Sequence, residues 1–411
     1  MLAALRPRFT GVVAVVAVAQ LLACGGETPP RRISQSLSWD TVVARSRGTT
    51  VQWRMWRGDP SINGFVDEWV TPRLEREYGI TLRTIDGQGP EIVNQLVVER
   101  EARARGSADL VWINGETFNN LQKEGLLFGP WAHRLPAARY VDSLSPIVMR
   151  DFERPTNGFE SPWGRVQFTL IYDSVRVPRP PRTVAELGRW IRAHPGRFTH
   201  DQEFTGTTFL KSVLYAENGG AQSFAGGFSE ERYARGSERL WSWLESVSPH
   251  FWRRGETYPG GVADLHRLFA NGEVDFTMSY NENEVITKVR QGVLPPTSRA
   301  LILRDGSVAN AHFVGIPFNA PNPAGAMVVA NFLLSAEAQL EKLRPQVWAD
   351  GTVLDVRKLP PDVAMRFRSI DTDSRGIPRD TLRRYETPEV APEYTERLKR
   401  DWKARIRAKS R

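Results

Sequence analysis

The chain has 411 residues, 41% hydrophobic and 25% charged, with a net charge of +8. That composition fits an ordinary folded protein of two or three domains that can bury a core without crosslinks, and its single cysteine excludes an intrachain disulfide and a cysteine-built zinc site. Eight Lys or Arg against two acids crowd into the segment from Glu396 to Arg411, so the body is near neutrality and lacks the domain-wide basic footprint of a nucleic-acid binder.

At the N-terminus, Arg6 and Arg8 precede an uncharged run from Gly11 to Ala23, then Cys24. A basic start, a short apolar run and a small residue before the cut make a secretory signal over residues 1–23. The run is about thirteen residues, short of the roughly 20 that span a membrane. Leu21-Leu22-Ala23-Cys24 resembles the lipobox of bacterial lipoproteins. That resemblance implies cleavage before Cys24 and a diacylglycerol on its thiol, although Leu22 stands where a smaller residue is usual. The plainer alternative is an ordinary signal peptide with a cysteine nearby. Residues 24–48, rich in Pro, Arg, Ser and Thr, read as a tether.

Strands and helices then alternate. Val51–Trp56 reads as a strand, followed by Ser61 as cap to a helix with Ile62, Phe65, Val66, Trp69, Val70 and Leu74 on one face. Ile80–Ile85 is a second strand, Glu91–Arg105 a helix, and Asp109–Ile113 a third strand. This alternation predicts a parallel sheet covered on both faces. Past a turn-rich stretch from Arg154 to Trp163, Val166–Tyr172 reads as one strong strand. Thr183 with Glu186 forms a capping box. Helices follow at Phe204–Glu217, Glu230–Glu245 and Val262–Asn271, the last closed by Gly272. Glu273–Ser279, Leu301–Arg304 and His312–Pro317 read as strands, and Asn322–Leu334 and Ala336–Leu343 as helices. In the basic tail, Tyr394, Leu398, Trp402 and Ile406 recur every four residues, the stripe of an amphipathic helix. Its basic face is either solvated or set against anionic lipid.

Four phrases carry a wider resemblance: Trp53–Val70, Asp109–Phe118, Asn157–Ser174 and Gly260–Val285. With His312–Leu334 they resemble the substrate-binding proteins of ABC importers, and among these the YnjB-type subgroup, from about Thr49 to about Leu359. The resemblance implies an α/β, periplasmic-binding-protein-like fold of two lobes joined by crossover hinge strands with an interlobe cleft. The expected division is residues 49–157 plus 306–343 for lobe 1 and 158–305 plus 344–411 for lobe 2. It further implies a non-enzymatic, lipid-anchored binder in the periplasm or cell envelope. Such a protein captures a small-molecule ligand by hinge closure and passes it to an ABC permease with a cytoplasmic ATPase, as a monomer and without a cofactor.

Loops at the carboxyl ends of strands face the cleft in such a fold, which singles out Trp56, Gly58 and Asn63 after the first strand. Asn114, Gly115 and Glu116 hold the matching place after the third. Before the crossover strand, Glu160 can set a charge preference and Trp163 can stack on a ring or pack the hinge. Thr205 and Thr207 sit at a helix start, as ligand donors or as plain caps. Tyr280 and Asn281 follow the strand ending at Ser279. Thirteen tryptophans raise the odds of an organic ligand only a little, since Trp69 and Trp241 have helix-face spacing.

Enzyme and metal signals are weak. The six histidines are scattered without an HExxH pair. Asp371–Gly376 starts like a calcium loop, but Arg375 puts a cation where an oxygen ligand belongs. No nucleophile elbow or phosphate-cradling loop occurs. An exported sugar-active hydrolase, or a two-lobed sensor serving a signalling partner, stands as the alternative.

Overall fold

The computed structural model describes residues 37–370 and 373–409. The signal segment, Cys24 and most of the tether lie outside the described residues. Nine strands make up the two larger sheets: β1 Thr50–Met55, β2 Thr81–Asp86, β3 Leu110–Ile113, β4 Glu160–Gln167, β5 Thr169–Asp173, β6 Phe276–Ser279, β7 Ser298–Leu301, β8 Ser307–Gly315 and β9 Glu386–Pro388.

The first sheet runs β9-β8-β3-β1-β2, with β4 on the other edge of β8. β1 is parallel to both β2 and β3, as the strand–helix alternation predicts. β8 runs antiparallel to β3 and to β4 and parallel to β9. The sequence LVWI of β3 is apolar throughout because helices cover both faces. The second sheet is smaller, β6-β5-β7, and antiparallel throughout. The run from Val166 to Tyr172 is therefore two strands. It breaks after Phe168, whose N–H still bonds the Val308 carbonyl of β8 at 2.8 Å, while Thr169 pairs with Ser279 of β6.

Helices used below are α1 Trp39–Ser46, α2 Pro60–Gly64, α3 Gly115–Lys123, α4 Val184–Ala193, α5 Phe204–Ala216, α6 Glu230–Val247, α7 Val262–Ala270, α8 Glu284–Arg290, α9 Pro323–Leu333, α10 Ala336–Leu343, α11 Pro361–Arg368 and α12 Pro392–Lys409. The cap of α2 is Asp59, not Ser61: its carboxylate accepts the N–H of Ser61 at 2.7 Å and of Ile62 at 3.3 Å. Thr183 caps α4, its hydroxyl accepting the Glu186 N–H at 3.1 Å. Buried Asp109 ties two elements of the first lobe together, taking the N–H of Gln52 in β1 and of Asn322 at the start of α9.

Two large hydrophobic cores result. The first draws on residues from Val42 to Trp163 and again from Ala309 to Phe367. The second draws on Phe168 to Val308 and then Val390 to Trp402. The packing differs from the expected division in more than one place: residues 158–163 join the first core through Phe159 and Trp163, and Val308 joins the second. Residues 344–367 join the first core, because Trp348 closes an aromatic cluster with Phe65, Trp112 and Trp163. Three crossings connect the cores, and they lie side by side. Gln167 pairs with Ala309, and Ala309 with Pro388. At the C-terminus, Tyr394, Leu398 and Trp402 of α12 seal the second core; the side chain of Ile406 lies outside the described residues.

Candidate functional site

The two cores meet along a polar seam, where chemistry that would be unstable inside either core is concentrated. At one end, α2 and its cap face α8 of the other lobe. Lys288 donates to the Asp59 carboxylate at 2.6 Å, and Gln291 to the Ser61 hydroxyl at 3.1 Å. Lys288 is itself backed by Glu284, 3.7 Å away. Burial opposes the charge on Glu284, yet hydrogen bonds and charge from His266, Lys288 and Ser279 hold its pKa down to about 2. Asn283 donates to the Ala349 carbonyl at 3.2 Å, so the loop after β6 also rests on the first lobe.

At the other end a tight hairpin, Arg150–Pro155, reaches across. Its tip residues Phe152 and Glu153 have φ of 44° and 63°, in the left-handed region that non-glycine residues rarely adopt. The Glu153 carboxylate accepts the N–H groups of Gly226 and Gly227, both at 3.2 Å. The Phe152 ring lies under the Lys211 ammonium, 4.8 Å from it, and against Gly115, where a Cβ would come within 2.7 Å of the ring. Lys211, in α5, is buried and bonds both oxygens of Glu389 at 2.6 Å, while the Tyr280 hydroxyl donates to Glu389 at 2.8 Å. Burial lowers the Lys211 pKa despite that partner.

Beside this pair sits a second carboxyl group, Asp151, which accepts the Gly115 N–H. Full burial, with the Glu389 charge adding to it, pushes its pKa up to about 8. Glu160 in β4 is 1% exposed, and neither carboxyl oxygen has a hydrogen-bond partner among the described residues. Burial, and next the nearby Asp151, raises its pKa well above the usual carboxylate range. These two acids are held neutral, so the cluster carries one formal ion pair, Lys211–Glu389, and uncharged groups around it. Outside the cluster, α12 crosses the seam: Lys399 bonds Glu116 at 2.9 Å, and Glu393 meets Arg154 at 2.7 Å and Lys123 at 3.2 Å. A cavity of about 470 Å³ opens here between the hairpin, Gly226–Gly227, Asn310 and the Pro388–Ala391 stretch, with Glu389 in its wall.

The residues read from sequence divide into three groups. Gly115, Glu116, Glu160 and Tyr280 belong to the seam cluster or to partners of it. Asn281 lies at the other end, donating to the Trp348 carbonyl at 3.5 Å. The rest serve local structure. Trp163 is fully buried in the first core, edge-on to Trp53 and Trp112 at 5.3 and 4.9 Å, the packing that the hinge alternative describes. Gly58 is required by Trp56, whose ring folds back within 2.4 Å of where a Cβ would stand; Trp56 itself is 37% exposed. Asn63 donates to the Arg57 carbonyl at 2.9 Å, closing the loop it begins. Asn114 sits at the cap position of α3 but its side chain makes no capping bond. Thr205 is buried in the first turn of α5, and the Thr207 hydroxyl bonds back to the Glu203 carbonyl at 2.9 Å.

None of these twelve lines the 470 Å³ cavity. Sequence reasoning missed Asp59, Asp151, Phe152, Glu153, Lys211, Lys288 and Glu389. One signal was available: Lys211 is the sole charge in the apolar helix FTGTTFLKSVLYA, a position that demands a buried partner. Asp373, in the calcium-like stretch, is spent on Arg375, while Asp371 and Thr372 lie outside the described residues. No cluster of three or more metal-ligating side chains occurs among the described residues.

Comparison with known proteins concerns the chain as a whole. Positions 70–366 match the family model for bacterial extracellular solute-binding proteins. Protein YnjB of Escherichia coli (strain K12) is 37% identical over 327 residues, covering 78% of this chain and 84% of that protein. In fold, the chain is similar to the spermidine/putrescine substrate-binding protein PotD of Streptococcus pneumoniae. The TM-score is 0.62 at 13% identity, over 88% of this chain and 100% of that one. It is also similar to the periplasmic binding protein AfuA of Actinobacillus pleuropneumoniae, with a TM-score of 0.61 at 13% identity, over 87% and 99%.

Two predictions follow from this geometry. The folded pKa of Asp151, about 8, lies above its ordinary 3.8. Between those values the folded chain holds a proton that the unfolded chain has released. The stabilisation is complete below the lower value and is lost as pH rises toward the upper, by about 1.4 kcal/mol per pH unit at most. Asp151→Asn keeps an acceptor for the Gly115 N–H. Its urea midpoint should therefore fall less than that of the parent between about pH 5 and 8; parallel profiles would remove the assignment. Asp59→Asn keeps the cap of α2 but leaves Lys288 without its partner across the seam. The contact state should lose about 1.5 to 3 kcal/mol, seen as a larger radius of gyration by small-angle scattering. An unchanged radius would mean that the pair holds nothing shut.

Proposed function

This chain belongs to the bacterial extracellular solute-binding proteins, a non-enzymatic family, and we propose that it captures a small-molecule solute at the seam between its lobes and delivers it to an ABC permease. The observation that carries this reading is the pair of separate cores linked by three adjacent crossings. Rotation there leaves both cores intact and changes only the seam, the geometry that hinge closure requires. The seam supplies what closure needs on each side: ion pairs that form only when the lobes meet, and a cavity within the range of small-molecule sites.

The solute is set by chemistry rather than by fold. Proteins of similar fold are described with fructose-6-phosphate and with spermidine/putrescine transport, which are opposite in charge. The charged side chains that line the cavity are Arg150, Arg154, Glu153 and Glu389, two of each sign. The reading therefore favours a solute held by hydrogen bonds and aromatic contact with Phe152 over one held by net charge.

Attachment to the membrane through a diacylglycerol on Cys24 completes the proposal. A tethered binder meets its permease at raised effective concentration, and two acyl chains hold where one is marginal. The sensor alternative has no observation in its favour.

Native mass spectrometry of protein purified gently from its host tests capture. A co-purified small molecule should appear and leave on mild denaturation. Restored at about 100 times its Kd it should add about 2.7 kcal/mol of stability. A chain that carries nothing, and that no small molecule in a broad thermal-shift panel stabilises, would overturn the reading. Separately, Cys24→Ser should move the protein from the membrane to the soluble fraction with its melting point unchanged. Continued membrane association would defeat the lipid anchor.

A further inference from the structure

The second lobe holds another cavity, of about 500 Å³, that shares no lining residue with the seam. It lies between β7, the turn before α4 and the stretch from Ser374 to Tyr385. Five arginines line it (Arg182, Arg299, Arg304, Arg375 and Arg384), and no Asp or Glu does.

Their partners show how much charge remains unspent. Arg375 is matched by Asp373, with Nε to carboxylate at 2.9 Å. Arg299 donates only to main-chain carbonyls, those of Pro296 at 2.9 Å and Ser298 at 2.8 Å, which leaves its charge uncompensated. Arg384 lies over the Tyr385 ring at 5.6 Å. The guanidinium groups of Arg182 and Arg304 have no partner among the described residues. The neighbouring acids are spent on main-chain N–H groups: Asp305 accepts that of Val184 at 2.6 Å, and Glu186 that of Arg182 at 2.7 Å. Beneath the arginines a small apolar cluster of Ile302, Ile377 and Leu382, with Tyr385 packed on it, gives the cavity a firm floor. The hydroxyls of Ser374 and Thr381 add donors at its wall, while that of Ser174 is spent on the Thr297 carbonyl at 2.7 Å.

Like charges gathered around one concavity repel each other, so the arrangement is at its most stable with an anion inside. Guanidinium forks match the oxygens of phosphate in paired hydrogen bonds. A cavity of this size, with four uncompensated arginines, calls for more than a single negative charge. We propose that this cavity is a second binding site, on the second lobe, for a phosphate-bearing molecule. Two sources share that chemistry: a soluble phosphorylated compound, and the headgroup of an anionic phospholipid.

Titration calorimetry of the Cys24→Ser chain, which lacks the proposed lipid anchor, with inorganic pyrophosphate at low salt tests the site, alongside co-sedimentation of that chain with vesicles containing phosphatidylglycerol. Saturable pyrophosphate binding is expected, weakened at least tenfold in Arg182→Ser/Arg304→Ser. Arg366→Ser/Arg368→Ser removes the same charge from exposed positions on α11 and should leave binding unchanged. So should Asp59→Asn, which separates this site from the seam. Circular dichroism confirms that each variant is folded. Sedimentation with vesicles that is lost only in the Arg182/Arg304 variant identifies the headgroup source; pyrophosphate binding without sedimentation identifies the soluble one. Absence of both, or equal losses in the two arginine variants, would overturn the proposal.

Discussion

Everything in this molecule turns on three adjacent stretches of main chain, at Gln167–Phe168, Val308–Ala309 and Pro388–Val390, where the polypeptide passes from one core to the other. They are held to each other by sheet hydrogen bonds, to which the Ser307 hydroxyl adds a bond to the Phe168 carbonyl and Arg165 an ion pair to Glu386. A single crossing would let the lobes swivel freely. Three in register restrict motion to bending about one line. The antiparallel insertion of β8 between β3 and β4 follows from this, because the chain that returns from the second lobe must run against the strands that left the first.

With the axis defined, the seam becomes the place where free energy can change between states. Burying a charge without a partner is costly, and losing one partner of a buried pair leaves the other exposed to that cost. The seam handles this in two ways. Asp151 and Glu160 avoid ionisation. Lys211 and Glu389 neutralise each other, with Tyr280 completing the hydrogen bonding. The pairs that join opposite lobes, Lys288–Asp59 and Lys399–Glu116, keep some solvent access and give up less on separation. Deep charges thus fix the interior, and shallow ones tune contact between the lobes. The basic face of α12 enters here too: Arg397 and Arg405 pair with Glu230 and Glu245 of α6, so part of its charge is spent within the protein.

The alternation of strand and helix was legible from sequence because its signals are local. Apolar runs such as Leu110–Ile113 and the Thr183 cap each depend on a few neighbours. The site was less legible because its partners are remote. Asp59 and Lys288 are separated by 229 positions, and Lys211 and Glu389 by 178. Nothing in a single sequence pairs them. Trp163 shows why two readings, stacking on a ligand ring and packing the hinge, stayed open in the sequence. An aromatic beside a polar, turn-rich stretch suggests a ligand contact, yet three other tryptophans converge on it in space. Residues 344–367 were assigned to the wrong core, since their one strong determinant, Trp348, acts through rings far away in the chain.

The composition of the second core has a consequence for how that lobe closes. It is assembled from residues 168–308 and from α12, where Tyr394, Leu398 and Trp402 pack into it. Those three side chains are remote in sequence from the partners they cover, so local contacts alone cannot complete the core. The entropy of closing that loop is lost before the apolar contacts can offset it. Loosening α12 would therefore uncover the second core while leaving the first intact.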